Sequence, residues 1–156
     1  MSIRLKIQSF VANSIYWTVH PYLYRWAKGY MDFEANKLKT FNDVQTFQSR
    51  FKYTADKWFD WRPWVITFFA RDMCDDCDGS AKIGQWALQQ IGVESHILSL
   101  RDSTGEHDGH AICVSNDNET TIMISNDRIV RFKSDDYCAF ILRWFDYIYD
   151  TIKLND

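Results

Sequence analysis

Cys77 and His110 are the two residues of this chain whose types and settings suit chemistry on an acyl group. Cys77 lies in Met73-Cys74-Asp75-Asp76-Cys77-Asp78-Gly79-Ser80-Ala81, where a polar loop gives way to an amphipathic helical pattern. A thiolate attacks carbonyl carbon and a thiol barely does; the N–H groups and dipole of a helix N-terminus favour the anion. Asp75, Asp76 and Asp78 act the other way, because neighbouring negative charge disfavours a thiolate. His110, in Gly109-His110-Ala111, opens an apolar, strand-like run and supplies an imidazole able to take the thiol proton. A hairpin register centred near Asp117-Asn118 brings Ser125, Asn126 and Asp127 back towards His110. All three are candidates to orient the ring, although Asn126-Asp127 also reads as a tight turn.

Such groups need elements to position them. From Asp76 to Ile91, the residues Ala81, Gly84, Leu88 and Ile91 share one helical face, and Gly92 suits the residue just past a helix end. Residues 95–100, 110–115, 120–125 and 128–133 read as strands, the middle two forming a hairpin about Asn116-Asp117-Asn118-Glu119. Upstream, residues 3–28 read as helix, kinked near His20-Pro21, and residues 33–53 as a second helical stretch. Val65-Ile66-Thr67-Phe68-Phe69 is an apolar run too short for its period to assign. Cys138, Ile141, Leu142, Phe145, Ile148, Tyr149 and Ile152 form a helical stripe that predicts a last helix over 135–153. Helices, then strands, then a helix is the order of an α+β domain.

Composition narrows the function classes. A chain of 156 residues suits one domain with a buried core. A net charge of −3 without a basic block argues against a nucleic-acid binder held through phosphates. The four cysteines are too few and too unevenly spaced for a disulfide framework, so reduced thiols in a cytoplasm are expected. No apolar run reaches the ~18 residues of a transmembrane helix, and the N-terminus does not read as a signal peptide. Aromatics make up 17% of the residues. In residues 1–32 they suit core packing or, alternatively, a helix that contacts a partner or a membrane surface.

Asp76-Cys77-Asp78-Gly79-Ser80-Ala81, with Gln90-Ile91-Gly92-Val93 after the helix, resembles the core motif of the transglutaminase-like cysteine proteinases. Gly109-His110-Ala111 is similar to the histidine strand of that family, and Ile122-Met123-Ile124-Ser125-Asn126-Asp127 to its apolar strand ending in Asp-Asn. Phe51-Lys52-Tyr53, Asp56 and Asp60-Trp61-Arg62-Pro63-Trp64 resemble the run before its cysteine. The resemblance covers about residues 42–132. It implies a papain-like α+β core with N-terminal helices, a catalytic cysteine at a helix N-terminus against an antiparallel sheet, and a C-terminal helix. It also implies a thiol-dependent hydrolase acting on a peptide or isopeptide bond through Cys77, His110 and Asn126 or Asp127, with Trp61 and Trp64 beside the cleft and amine transfer as the second reaction. Two departures stand out: Gly79 replaces the second acidic residue after the cysteine, and Ser125 aligns with the family Asp. Some family members bind calcium through the acids flanking the cysteine. Asp76 and Asp78 match those positions, but Gly79 removes a ligand, so no cofactor is required by this reading.

Three other readings use the same residues. A degenerate domain that binds a protein partner follows if the altered site does not work. Cys74-x-x-Cys77 with His107-x-x-His110 supplies four zinc ligands. Cys74-x-x-Cys77 before a helix is also a thiol–disulfide redox motif, but Pro21 and Pro63 both precede it, whereas a thioredoxin needs a cis-proline after it.

Overall fold

The computed structural model describes residues 10–11, 13–18, 20–55, 64–102, 109–117, 120–133 and 149–154. Helical residues 10–11 and 13–18 precede α1 (Pro21–Lys37), which starts with proline at its first position. There the missing N–H costs nothing and the fixed φ suits the helix. The sequence expectation of a break at His20-Pro21 is met, while α1 runs past residue 28 to Lys37. α2 (Phe41–Gln48) then begins in a capping box: Thr40 accepts from the Asp43 N–H and the Asp43 carboxylate accepts from the Thr40 N–H.

The ambiguous apolar run is helix α3 (Val65–Ala70). The Trp64 N–H at its start donates to Asn13 Oδ1 at 3.0 Å, so a side chain from residues 10–18 satisfies one of the groups that a helix start leaves open. Asp72 and Met73 follow with φ of 55° and 61°. These two left-handed residues turn the chain sharply into β2 (Cys74–Asp75), which pairs in parallel with β1 (Lys52–Tyr53).

α4 (Cys77–Gln90) starts at the cysteine and ends one residue before Ile91, with Gly92 at φ 76° as the left-handed terminating residue. An antiparallel sheet follows: β3 (His96–Asp102), β4 (His110–Asp117), β5 (Thr120–Ser125), β6 (Arg128–Phe132) and β7 (Tyr149–Leu154), in the spatial order β6-β5-β4-β3-β7. Alternation sorts the sheet into two faces. Ala111, Cys113, Ile122 and Ile124 join one core cluster with Ala81, Ile83, Ala87 and Leu88 of α4. Leu98, Leu100, Ile112, Val114 and Met123 form a second cluster. Gly84 sits where α4 meets β5, since a Cβ there would lie 2.9 Å from Ile124 Cδ1. An aromatic group made of Tyr30, Phe47, Phe69 and Trp86, with ring centroids 5.2–6.2 Å apart in successive pairs, binds α1, α2 and α3 to α4.

One expectation is overturned in the described residues. Tyr149–Leu154 is not the end of a helix but an edge strand, paired from Ile97↔Leu154 to Asp102↔Tyr149. Helical periodicity in the sequence loses here to the open edge of β3, whose unpaired backbone groups β7 satisfies. The remainder of the expected helix, residues 134–148, lies outside the described residues. No helix among the described residues is long and apolar enough to cross a membrane.

Candidate active site

Asp76 creates the start of α4. Its Oδ1 accepts from the Asp78 and Gly79 N–H groups at 3.0 and 3.4 Å, an N-cap that leaves Cys77 as the first helical residue. With the Ser80 N–H bonded to the Asp76 carbonyl, the Cys77 N–H is the first-turn donor left beside the sulfur. Cys77 is half-buried, and the Ala111 N–H of β4 hydrogen-bonds its sulfur. The thiol therefore lies against the peptide that follows His110.

Burial pushes the Cys77 thiol up to about 11, and the Asp78 and Asp76 carboxylates push in the same direction; the Ala111 and Cys77 N–H groups oppose them only in part. The helix N-terminus thus does not produce a thiolate at neutral pH. The acidic neighbours named as its opponents prevail, together with desolvation.

His110 is the first residue of β4, and burial lowers its imidazole below the ordinary value of 6.5. Its Nε2 lies 2.8 Å from Ser125 Oγ, the last residue of β5. Of the three candidates, Ser125 is the one whose side chain meets Nε2. Asn126, at φ 53°, opens the two-residue turn between β5 and β6, and Asp127 beside it is exposed. The physical reason is position: the pairing of β4 with β5 runs to Cys113↔Ile124, and Ser125 is the next residue of β5 towards the end of β4 that His110 begins. A serine hydroxyl can fix the ring but, being neutral, gives an imidazolium no counter-charge, which accords with the lowered basicity of His110.

Asn126 contributes through its backbone. Its carbonyl oxygen accepts from Gln48 Nε2 and from Ser80 Oγ, each at 2.7 Å, and Gln48 Nε2 also reaches Ser80 Oγ at 3.1 Å. α2, the first turn of α4 and the β5–β6 turn therefore close on one point. Gln48 is fully buried there. Sequence reasoning missed it, because a glutamine in an amphipathic helix carries no sign of burial.

Cys74 stands on β2 as a free thiol, as Cys77 does. His107 and Trp61 lie outside the described residues, as do Asp56 and Asp60. Trp64 is 41% exposed, and its ring meets Phe10 edge-on at 6.3 Å. The acids around Cys77 have partners within the chain. Asp76 caps α4, Asp75 is buried against Arg71 at 3.1 Å, and position 79 has no side chain. Among the described residues, no three His, Cys, Asp or Glu side chains are grouped to hold a metal ion. Gly79 has its own reason: a Cβ there would lie 2.3 Å from Asp75 Oδ2, so Asp75 fills the space that a side chain at 79 would need.

No family model and no curated protein sequence matches the chain. Solved structures do. LapG of Legionella pneumophila, a transglutaminase-like cysteine protease, superposes with a TM-score of 0.53 at 16% identity, covering 71% of this chain and 75% of LapG. The calcium-bound form of the same protein gives 0.55 at 16% identity, over 78% of this chain and 70% of that one. The fold is papain-like, of the transglutaminase type. At this identity the likeness extends to the fold and not to the chemistry.

Proposed function

We propose that the chain is a thiol-dependent hydrolase of peptide, isopeptide or other amide bonds. The observation that supports this best is the convergence of Cys77, at the head of α4, on the strand that begins with a half-buried His110 held by Ser125. With its thiol near 11 and its imidazole below 6.5, the pair is neutral at physiological pH, so His110 acts as a general base and not as half of a standing ion pair. Nε2 engages Ser125, and Nδ1 takes the thiol proton as sulfur attacks the carbonyl carbon. The Cys77 N–H supports the developing oxyanion. His110 then gives its proton to the departing amine, leaving a thioester on Cys77. Water, activated by the same imidazole, releases the acid; a substrate amine attacking instead would give transfer. No step requires a metal.

Iodoacetamide labelling of Cys77 at pH 7.0–7.5 (about neutral) in a Cys74→Ser background tests this. His110→Ala should lower the labelling rate by about tenfold or more. Equal rates in the two proteins would refute the pairing.

A second reading, a transglutaminase-like domain that binds a protein partner without catalysis, is favoured by the raised thiol and by Ser125 in place of a carboxylate. Under it, Cys77→Ala leaves cellular function intact.

A further inference from the structure

Helix α1 turns one apolar face to solvent. Ala27 and Glu34 on its inner side are buried, whereas Tyr22, Trp26 and Phe33 are 91, 54 and 57% exposed. With Gly29 these three recur at steps of four, three and four residues, the spacing of a coiled-coil seam. Trp26, Gly29 and Phe33 line an open groove of ≈ 440 Å³.

Gly29 is the informative member. Glycine is among the poorest helix formers, and it is tolerated inside a helix when something needs its lack of a side chain. Among the described residues nothing does: φ at Gly29 is not in the left-handed region, and a Cβ there would meet none of their atoms within 4 Å. A bare backbone in the middle of an exposed aromatic seam suits close approach by another molecule.

The register says which. When α1 lies antiparallel on α1 of a second copy with Trp26 facing Gly29, the same register sets Phe33 against Tyr22. A large ring meets a gap at the centre, and rings meet rings outside it. Arg25 and Asp32, which flank the seam on its solvent side, then meet as opposite charges, and two-fold symmetry makes every contact twice. Asp32 has Lys28 at 3.1 Å, yet its carboxylate side chain stays 55% exposed and open to a second cation. We propose that α1 is a homodimerisation helix, paired antiparallel with α1 of a second copy of this chain, with each Trp26 seated over the other copy's Gly29.

Sedimentation of the full chain over a concentration series is the test. A concentration-dependent dimer is expected. Gly29→Ala should strengthen the helix while raising the dimer dissociation constant, and Gly29→Leu should raise it by about tenfold or more. Helicity measured on both variants separates lost contact from lost fold. Arg25→Asp and Asp32→Arg should each weaken association, and mixing those two variants should restore it, because each then meets its opposite charge. A chain that stays monomeric at about 100 µM, a dimer indifferent to Gly29→Leu, or a mixture that fails to re-associate would each overturn the proposal. A surface reserved for a different protein predicts the first of these.

Discussion

Gln48 donates its amide to the carbonyl oxygen of Asn126 across 2.7 Å, and so a helix well upstream of Cys77 holds the turn that follows Ser125. Ser80, three residues past Cys77, donates to the same oxygen. The helix that carries the thiol and the strand that orients His110 are thereby tied at a buried point, independently of any contact between the two reactive groups. Apolar packing of α4 on β4 and β5 brings the elements together; this polar node sets their register, since hydrogen bonds are directional and apolar contacts are not.

Gln48→Leu keeps the volume but removes the donor. The Asn126 carbonyl retains Ser80 Oγ, so the expected cost is about 1–3 kcal/mol, a fall of roughly 3–10 °C in the thermal midpoint. Combined with Ser80→Ala, which strips the remaining side-chain donor, the loss should exceed the sum of the two single losses by about 0.5 kcal/mol or more. Thermal unfolding of the four proteins of the cycle measures this, and simple additivity would show that the node does not act as a unit.

Stability should fall on both sides of neutrality, for different residues. His110 is held neutral, so the folded chain binds fewer protons than the unfolded one below 6.5, and stability drops as pH falls through that value. Cys77 and Cys113 keep their protons to about 11 and about 12, against an ordinary 9.0. The folded chain therefore binds more protons above 9.0, and stability drops as pH rises from there. Cys113→Ala should flatten the alkaline limb and His110→Asn the limb between about pH 5 and 6.5, both read from denaturant midpoints against pH.

Ser125→Asp places a carboxylate beside His110 Nε2, where a neutral hydroxyl now stands at 2.8 Å. An opposite charge at that distance favours the imidazolium, so the His110 pKa should rise, by about 1 unit or more. NMR titration of the ring reads this directly. Thiol labelling of Cys77 at neutral pH should rise with it, because a stabilised imidazolium makes thiolate formation easier. Ser125→Ala should lower labelling by about 10–100-fold through loss of ring orientation.

Much of this site was legible because helical and strand periods differ. The stripe of Ala81, Gly84 and Leu88, closed by Gly92, gave α4, and alternation gave β4 and β5 within two residues of their ends. The choice among Ser125, Asn126 and Asp127 was not legible, since it depends on which side of the sheet each faces and on where the turn begins. Tyr149–Leu154 was misread because its apolar spacing fits a helix, and only the neighbouring strand supplies the reason to extend. Gln48 gave no signal at all, its burial being decided by an element 78 residues away.

Gly79 is the most direct test of how this site departs from the family it resembles. That family carries an acidic residue at this position, and Gly79→Asp restores it in sequence. In this chain the substitution should instead destabilise the protein by about 1–3 kcal/mol, because its Cβ would fall 2.3 Å from the Asp75 carboxylate in a buried setting. A further carboxylate beside Cys77 would also raise the thiol above its present value of about 11, so labelling at neutral pH should slow. Asp75→Ala alone removes the carboxylate that pairs with the Arg71 guanidinium at 3.1 Å and costs stability. The double variant Asp75→Ala with Gly79→Asp opens the space and returns a carboxylate to the same region, so it should be more stable than the Gly79→Asp single variant. Thermal midpoints of the three variants check this. If Gly79→Asp melts with the native protein, Asp75 is not what keeps residue 79 bare.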